Sequence, residues 1–241
     1  AVEELAVRAA GAGFAVAVHA IGDRACREVL NGLEAARARE AMVEGFPHRI
    51  EHVQLIDRRD AARLGRLGVV ASMQPIHLPG DRASAERYWQ GRTGGAYAMR
   101  WLVEAGAVLA FGSDAPVEDP DPLRGIYAAV TRRSPNGATG GGVGEEAGPW
   151  HPEHAVSVIE ALRAYTQGAA QAVGEQGYRG RLYPGMAGDV VLLTPDIVAL
   201  DRALGPQGWT SASEQARQAR AALRQARVMV TVVDGHVVYI A

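Results

Sequence analysis

Short apolar runs alternate with amphipathic stretches through the first half of the chain. FAVAVHA (14–20) is rich in Val and reads as a buried parallel strand. RIEHVQ (49–54), VVASMQP (69–75) and AVLAFGS (107–113) repeat the pattern. Between them, residues 2–10, 23–39, 57–67 and 95–105 carry helical periodicity. Gly11 and Gly13 stop the first helix, and Asp23 and Asp57 stand where helix caps belong. Val29, Leu30 and Leu33 fall on one face of the second. Strands alternating with helices imply βαβ units around a parallel sheet.

The pattern then changes. Residues 134–149 are Gly-rich and polar, and read as a loop, either a lid over a site or a plain surface excursion. Residues 153–173 return to helix, with Ser157 and Glu160 spaced as a capping box. From about Gly180, GRLYPGMAGDVVLLTP shows strand-like runs broken by Pro184–Gly185 and Gly188–Asp189. VMVTVVDGHVVYIA (228–241) has a hairpin pattern around Asp234–Gly235, with a helical stretch near 211–226 before it. The expected division is an α/β part over 1–178 and a small β part over 179–241.

Composition narrows the function. The 241 residues are 48% hydrophobic and 22% charged, with a net charge of −2, so neither nucleic acid nor an anionic membrane is an expected partner. The arginines of Glu34 to Arg39 and Arg217 to Arg227 read as solvated helix faces. Cys26 is the only cysteine; it reads as a packed thiol and fits a reducing, cytoplasmic setting. No apolar run is long enough to span a bilayer, and the start is not signal-like. The chain opens on Ala in mid-helix pattern, which suggests a processed or truncated product.

Each expected strand finishes in polar residues. The first ends in His19, the second carries His52, the third runs into Gln74 and His77, and the fourth ends in Asp114. In a parallel α/β sheet these ends share one face, where ligands bind. Two histidines and an aspartate there suit a divalent ion. Hydrogen-bonded structural histidines and an Asx turn at Asp114 are the competing reading. His48, His151 and His154 read as surface or capping residues. Asp81 and Arg82 are weaker candidates for a pocket. No GxGxxG follows a strand and no GK[ST] phosphate loop occurs, which argues against a nucleotide cofactor.

HAIGDRA (19–25), HRIEHVQ (48–54), SMQPIHL (72–78) and GSDAPVEDPDPL (112–123) together resemble the metal-dependent amidohydrolase superfamily, in the branch that includes the N-substituted formamide deformylases. EALRAYTQGAAQAVG (160–174) and GRLYPGMAGDVVLL (180–193) resemble that branch's closing helix and return to a β-sandwich. The resemblance implies the C-terminal half of a TIM-like (β/α)8 barrel, strands five to eight, plus part of a small β-sandwich. It implies His19 and His52 as ligands of one metal, most often zinc. Asp114 would be ligand of a second and the group that takes a proton from water. His77 and Gln74 become candidates for substrate contact. The implied reaction is hydrolysis of a non-peptide C–N bond in a small amide-type substrate.

Such families also use an HxH pair on the first barrel strand and a bridging lysine or acidic residue on the fourth. This sequence contains no HxH and no Lys. The resemblance therefore implies a complementing N-terminal half, or a homo-oligomer, as partner. The alternative reading is a non-catalytic α/β binding module or an inactive remnant.

Overall fold

The computed structural model describes residues 2–38, 45–136, 148–205 and 208–241. The chain begins with α1 (Val2–Gly11), β1 (Ala17–Ala20), α2 (Asp23–Ala38), β2 (Arg49–His52), α3 (Arg58–Leu67) and β3 (Val70–Met73). A 3₁₀ turn over Pro75–His77 then leads into α4 (Leu78–Tyr88), followed by α5 (Met99–Glu104), β4 (Leu109–Phe111) and α6 (Pro122–Thr131). β1 to β4 form a parallel sheet in sequential order. The fold is mixed α/β, as the alternation of patterns requires.

The pleat assigns side chains to two faces. Val18, Ile50, Ala71, Met73, Leu109 and Phe111 join the main core with Val29, Leu30 and Leu33 of α2, Leu64 of α3 and Leu102 of α5. On the other face, Val70 and Ala110 meet Ala172. β1 departs from its expected burial: Ala17 and His19 are exposed. It is an edge strand, and the face bearing these two residues is not the one packed by α2.

α4 and α6 have no counterpart among the helices expected from periodicity. α6 is capped by Asp121, which accepts from the Leu123 amide at 2.9 Å, and opens on Pro122, whose fixed φ suits a first turn. It is buried almost all round, so its sequence lacks a polar stripe.

The second half holds α7 (Val158–Arg163), a π-helical turn over Ala164–Gly168, and α8 (Ala169–Ala172). The capping box is present: Ser157 Oγ accepts from the Glu160 amide at 3.2 Å, and Glu160 Oε2 accepts from the Ser157 amide at 2.7 Å. Gly168 lies so close to β4 that a Cβ would sit 1.8 Å from the Leu109 carbonyl oxygen. The helix starts later than expected, because 152–154 form a 3₁₀ turn.

β5 (Val190–Thr194), α9 (Ile197–Leu204), α10 (Glu214–Arg224), β6 (Arg227–Val233) and β7 (His236–Ile240) complete the chain. The three strands make an antiparallel sheet in the order β5–β6–β7. Asp234 and Gly235 turn the hairpin with φ of 50° and 76°, the left-handed pair such a tight turn needs. The helices between β5 and β6 pack back on α6 and α7. Ile197, Trp209 and Leu223 thereby belong to the main core, and Trp209 Nε1 donates to Asp201 Oδ1 at 2.8 Å.

Several expectations need correction. Arg220 is buried and donates to the carbonyls of Trp209 and Ser211, and Arg224 donates to the Tyr127 hydroxyl, so α10 does not present a uniformly solvated basic face. Arg37 of α2, by contrast, is exposed as expected. His48 is not at the surface: its Nδ1 accepts from the Val16 amide at 3.0 Å, and burial lowers its pKa. His154 is fully buried against the Gly94 carbonyl at 2.8 Å, and burial pulls its pKa down to about 4. Both are structural because a strand start and a loop need a buried polar partner there. Cys26 is the packed thiol expected, pushed up to about 12 by burial and then by the charges of Asp60 and Asp23. Among the described residues, no helix is long and apolar enough to cross a membrane. Residues 137–147 of the Gly-rich stretch, and Arg39 of the second expected helix, lie outside the described residues.

Candidate functional site

The C-terminal ends of β1, β2 and β3 bring polar side chains together. The rings of His19 and His52 lie 4.3 Å apart, edge to face. Strand register pairs His19 with Glu51, and Ala20 with His52, so a regular pleat would put the two histidines on opposite faces. The conflict is resolved in the backbone. His52 has φ of 78° and Val53 of 47°, a left-handed step rare for non-glycine residues. It turns the His52 ring over the strand end toward His19. Non-glycine residues are held in such conformations chiefly where the surroundings over-determine them, often at sites of function.

His52 is then fixed by Gln74. Its Nδ1 lies 2.9 Å from Gln74 Oε1, and a carbonyl oxygen only accepts, so Nδ1 carries the proton. The lone pair is left on Nε2, the arrangement that prepares an imidazole to ligate. His77 is buried, with Nε2 3.3 Å from the Ser113 carbonyl oxygen. Glu51 forms an ion pair with Arg49 at 2.6 Å.

Asp114 lies beyond the end of β4, on an exposed turn closed by the Val117 amide to its own carbonyl at 2.9 Å. Its φ is 57°. Among the described residues, no group of three or more His, Cys, Asp or Glu side chains is arranged to hold a metal ion. The structure therefore brings His19, His52 and Gln74 together and does not add Asp114 as a third ligand. The donor chemistry fits two positions of a divalent ion's coordination shell, whereas a catalytic zinc takes three protein ligands and an open position.

Two residues of this face were not singled out from sequence. Gln54, just past His52, donates from Nε2 to Asp81 Oδ2 at 2.8 Å and to the Tyr97 hydroxyl at 3.0 Å. The Tyr97 hydroxyl also donates to Asp81 Oδ2. Burial and then the Asp81 charge hold the Tyr97 pKa well above its ordinary value, so it remains a donor. The one available signal was the position of Gln54 two residues past His52; nothing local marks Tyr97.

Comparison with known proteins agrees with this class of fold. The model of the Amidohydrolase family matches residues 1–239, and the chain belongs to that family. It is 34% identical over 193 residues to amidohydrolase YtcJ of Bacillus subtilis (strain 168), covering 79% of this chain and 34% of that protein. It is 28% identical over 237 residues to the N-substituted formamide deformylase of Arthrobacter pascens, covering 97% of this chain and 38% of the other. The crystal structure of an uncharacterized metal-dependent hydrolase from Pyrococcus furiosus superposes with a TM-score of 0.61 at 32% identity, over 77% of this chain and 34% of that one. The chain thus spans about a third of the length of these relatives.

Proposed function

We propose that this chain supplies part of the active site of a metal-dependent hydrolase acting on a non-peptide C–N bond. The observation that carries the reading is the contact of His19 with His52 at the ends of neighbouring parallel strands, with His52 Nδ1 held by Gln74. His19 and His52 would hold a divalent ion, zinc by preference of its imidazole donors. Such an ion, when bound, lowers the pKa of water from about 16 to about 7. Asp114 would accept a proton at its carboxylate and return it to the leaving nitrogen. His77 and Gln74 line the same end of the sheet and would border a small amide-type substrate.

In this reading β1 to β4 occupy the fifth to eighth places of a (β/α)8 barrel, with residues 1–178 as half-barrel and 179–241 as part of a β-sandwich. The sequential parallel order, with β1 and β4 unpaired at the edges among the described residues, supports it, as does the one-third coverage of the relatives. The remaining ligands would come from a complementing N-terminal half or a second copy, in the cytoplasm that the single buried thiol suits.

Metal analysis of the protein, with the complementing half supplied, tests the ligand assignment: His19→Ala and His52→Ala should each lose metal. A second reading, a non-catalytic binding module, is favoured by the absence of a three-ligand group among the described residues. Metal-dependent amide turnover by the purified chain alone would remove it.

A further inference from the structure

A cavity of about 130 Å³ is lined by Gln54, Asp81, Ser84, Ala85, Tyr88 and Trp89. Gln54 follows β2 and Asp81 lies in the first turn of α4, which follows β3. The cavity therefore opens at the same end of the sheet as the two histidines. Its polar groups are built rather than incidental. Asp81 Oδ2 is taken by two neutral donors, Gln54 Nε2 and the Tyr97 hydroxyl. Tyr97 is itself locked by the fully buried Arg132, which donates to the carbonyls of Tyr97, Ala96 and Trp150.

This network leaves acceptors over. Among the described residues, Asp81 forms no ion pair, and both amide hydrogens of Gln54 are spent on Asp81 and Tyr97. Gln54 Oε1 and Asp81 Oδ1 remain as acceptors beside a space walled by Tyr88 and Trp89. The neighbouring cations point elsewhere: Arg82 pairs with Glu86, and Arg87 lies over the outer Tyr88 ring at 5.2 Å. A carboxylate without a cation, an amide oxygen and aromatic walls together select a compact donor-rich cation.

We propose that this cavity binds a primary ammonium group carried by the substrate of the hydrolase, with Asp81 as counter-ion and Gln54 as second acceptor. The assignment rests on the hydrolase reading for its role but not for its test. n-Butylammonium, n-butanol and butyrate are titrated into the full chain treated with chelator, by calorimetry and by ¹⁵N–¹H NMR. The cation should bind saturably, and Asp81→Asn should weaken it about tenfold, the usual worth of a charged hydrogen bond. Ser84 is exposed on the rim, so Ser84→Lys, which places a tethered ammonium in the cavity, should abolish binding even where Asp81→Asn fails to fold. Butanol binding as tightly as butylammonium, or unchanged affinity in Ser84→Lys, overturns the subsite. Because the titration reads cation binding to metal-free protein, it is separate from the hydrolase reading: absent cation binding discards the subsite alone, and unchanged metal content of His19→Ala and His52→Ala in the complemented protein discards the ligand assignment alone.

Discussion

The two sheets differ in how far their apolar residues are buried. In the parallel sheet Ile50, Ala71 and Met73 are wholly buried beneath helices. In the antiparallel sheet every residue of β7 is exposed, with Val238 at 60% and Ile240 at 71%. An apolar strand is buried only where helices or turns pack across its face. α2, α3, α5 and the π turn over 164–168 do this for the parallel sheet, while α9 and α10 pack on α6 and α7; Leu193 of β5 and Val228 of β6 still reach the main core, and β7 has no such cover among the described residues. Stability should therefore be concentrated in the first sheet, and its C-terminal end should tolerate little change.

The sharpest test of that contrast is Gly168→Ala. The new Cβ would meet the Leu109 carbonyl, forcing β4 and the π turn apart, and should cost about 3 kcal/mol in denaturant unfolding. pH gives the next largest effect. His154 is neutral in the fold down to about 4, whereas the unfolded chain takes the proton near 6.5. Its contribution is fully present above about 6.5 and is lost as pH falls toward 4, by up to ~3 kcal/mol. His154→Gln should flatten that slope in melts between pH 7 and 4. Gln74→Leu frees the His52 ring and should weaken metal affinity ~10-fold or more while the melting temperature stays near wild type. Ser157→Ala removes half the capping box, for about 1 kcal/mol. Val238→Thr on the open sheet should fall within ~0.5 kcal/mol; a loss like that of Gly168→Ala would erase the contrast between the sheets.

Much of the parallel sheet was legible because each strand is an apolar run ending in a polar residue. α3 and α7 announced themselves through Asp57 and the Ser157–Glu160 box, both of which cap as expected. α4 carries Pro79 and Gly80 at its opening and has no helical stripe to announce it, although Pro is at home in a first turn. α6 was hidden by burial on every side, and by Gly125, where a Cβ would run into the Tyr165 hydroxyl. At the site, His19 and His52 could be named from their strand ends. Their contact could not be derived, since it depends on a left-handed backbone at His52 and on Gln74 from the next strand. The Gln54–Asp81–Tyr97 network joins segments 27 and 43 residues apart, beyond any local pattern.

The central claim is that His19 and His52 are metal ligands, and metal content measures it directly. Elemental analysis of the protein, supplied with the proposed N-terminal half, should find bound divalent metal in the wild type and loss of it in both His19→Ala and His52→Ala, with folding unchanged by circular dichroism. Metal at the wild-type level in the two variants would contradict the account.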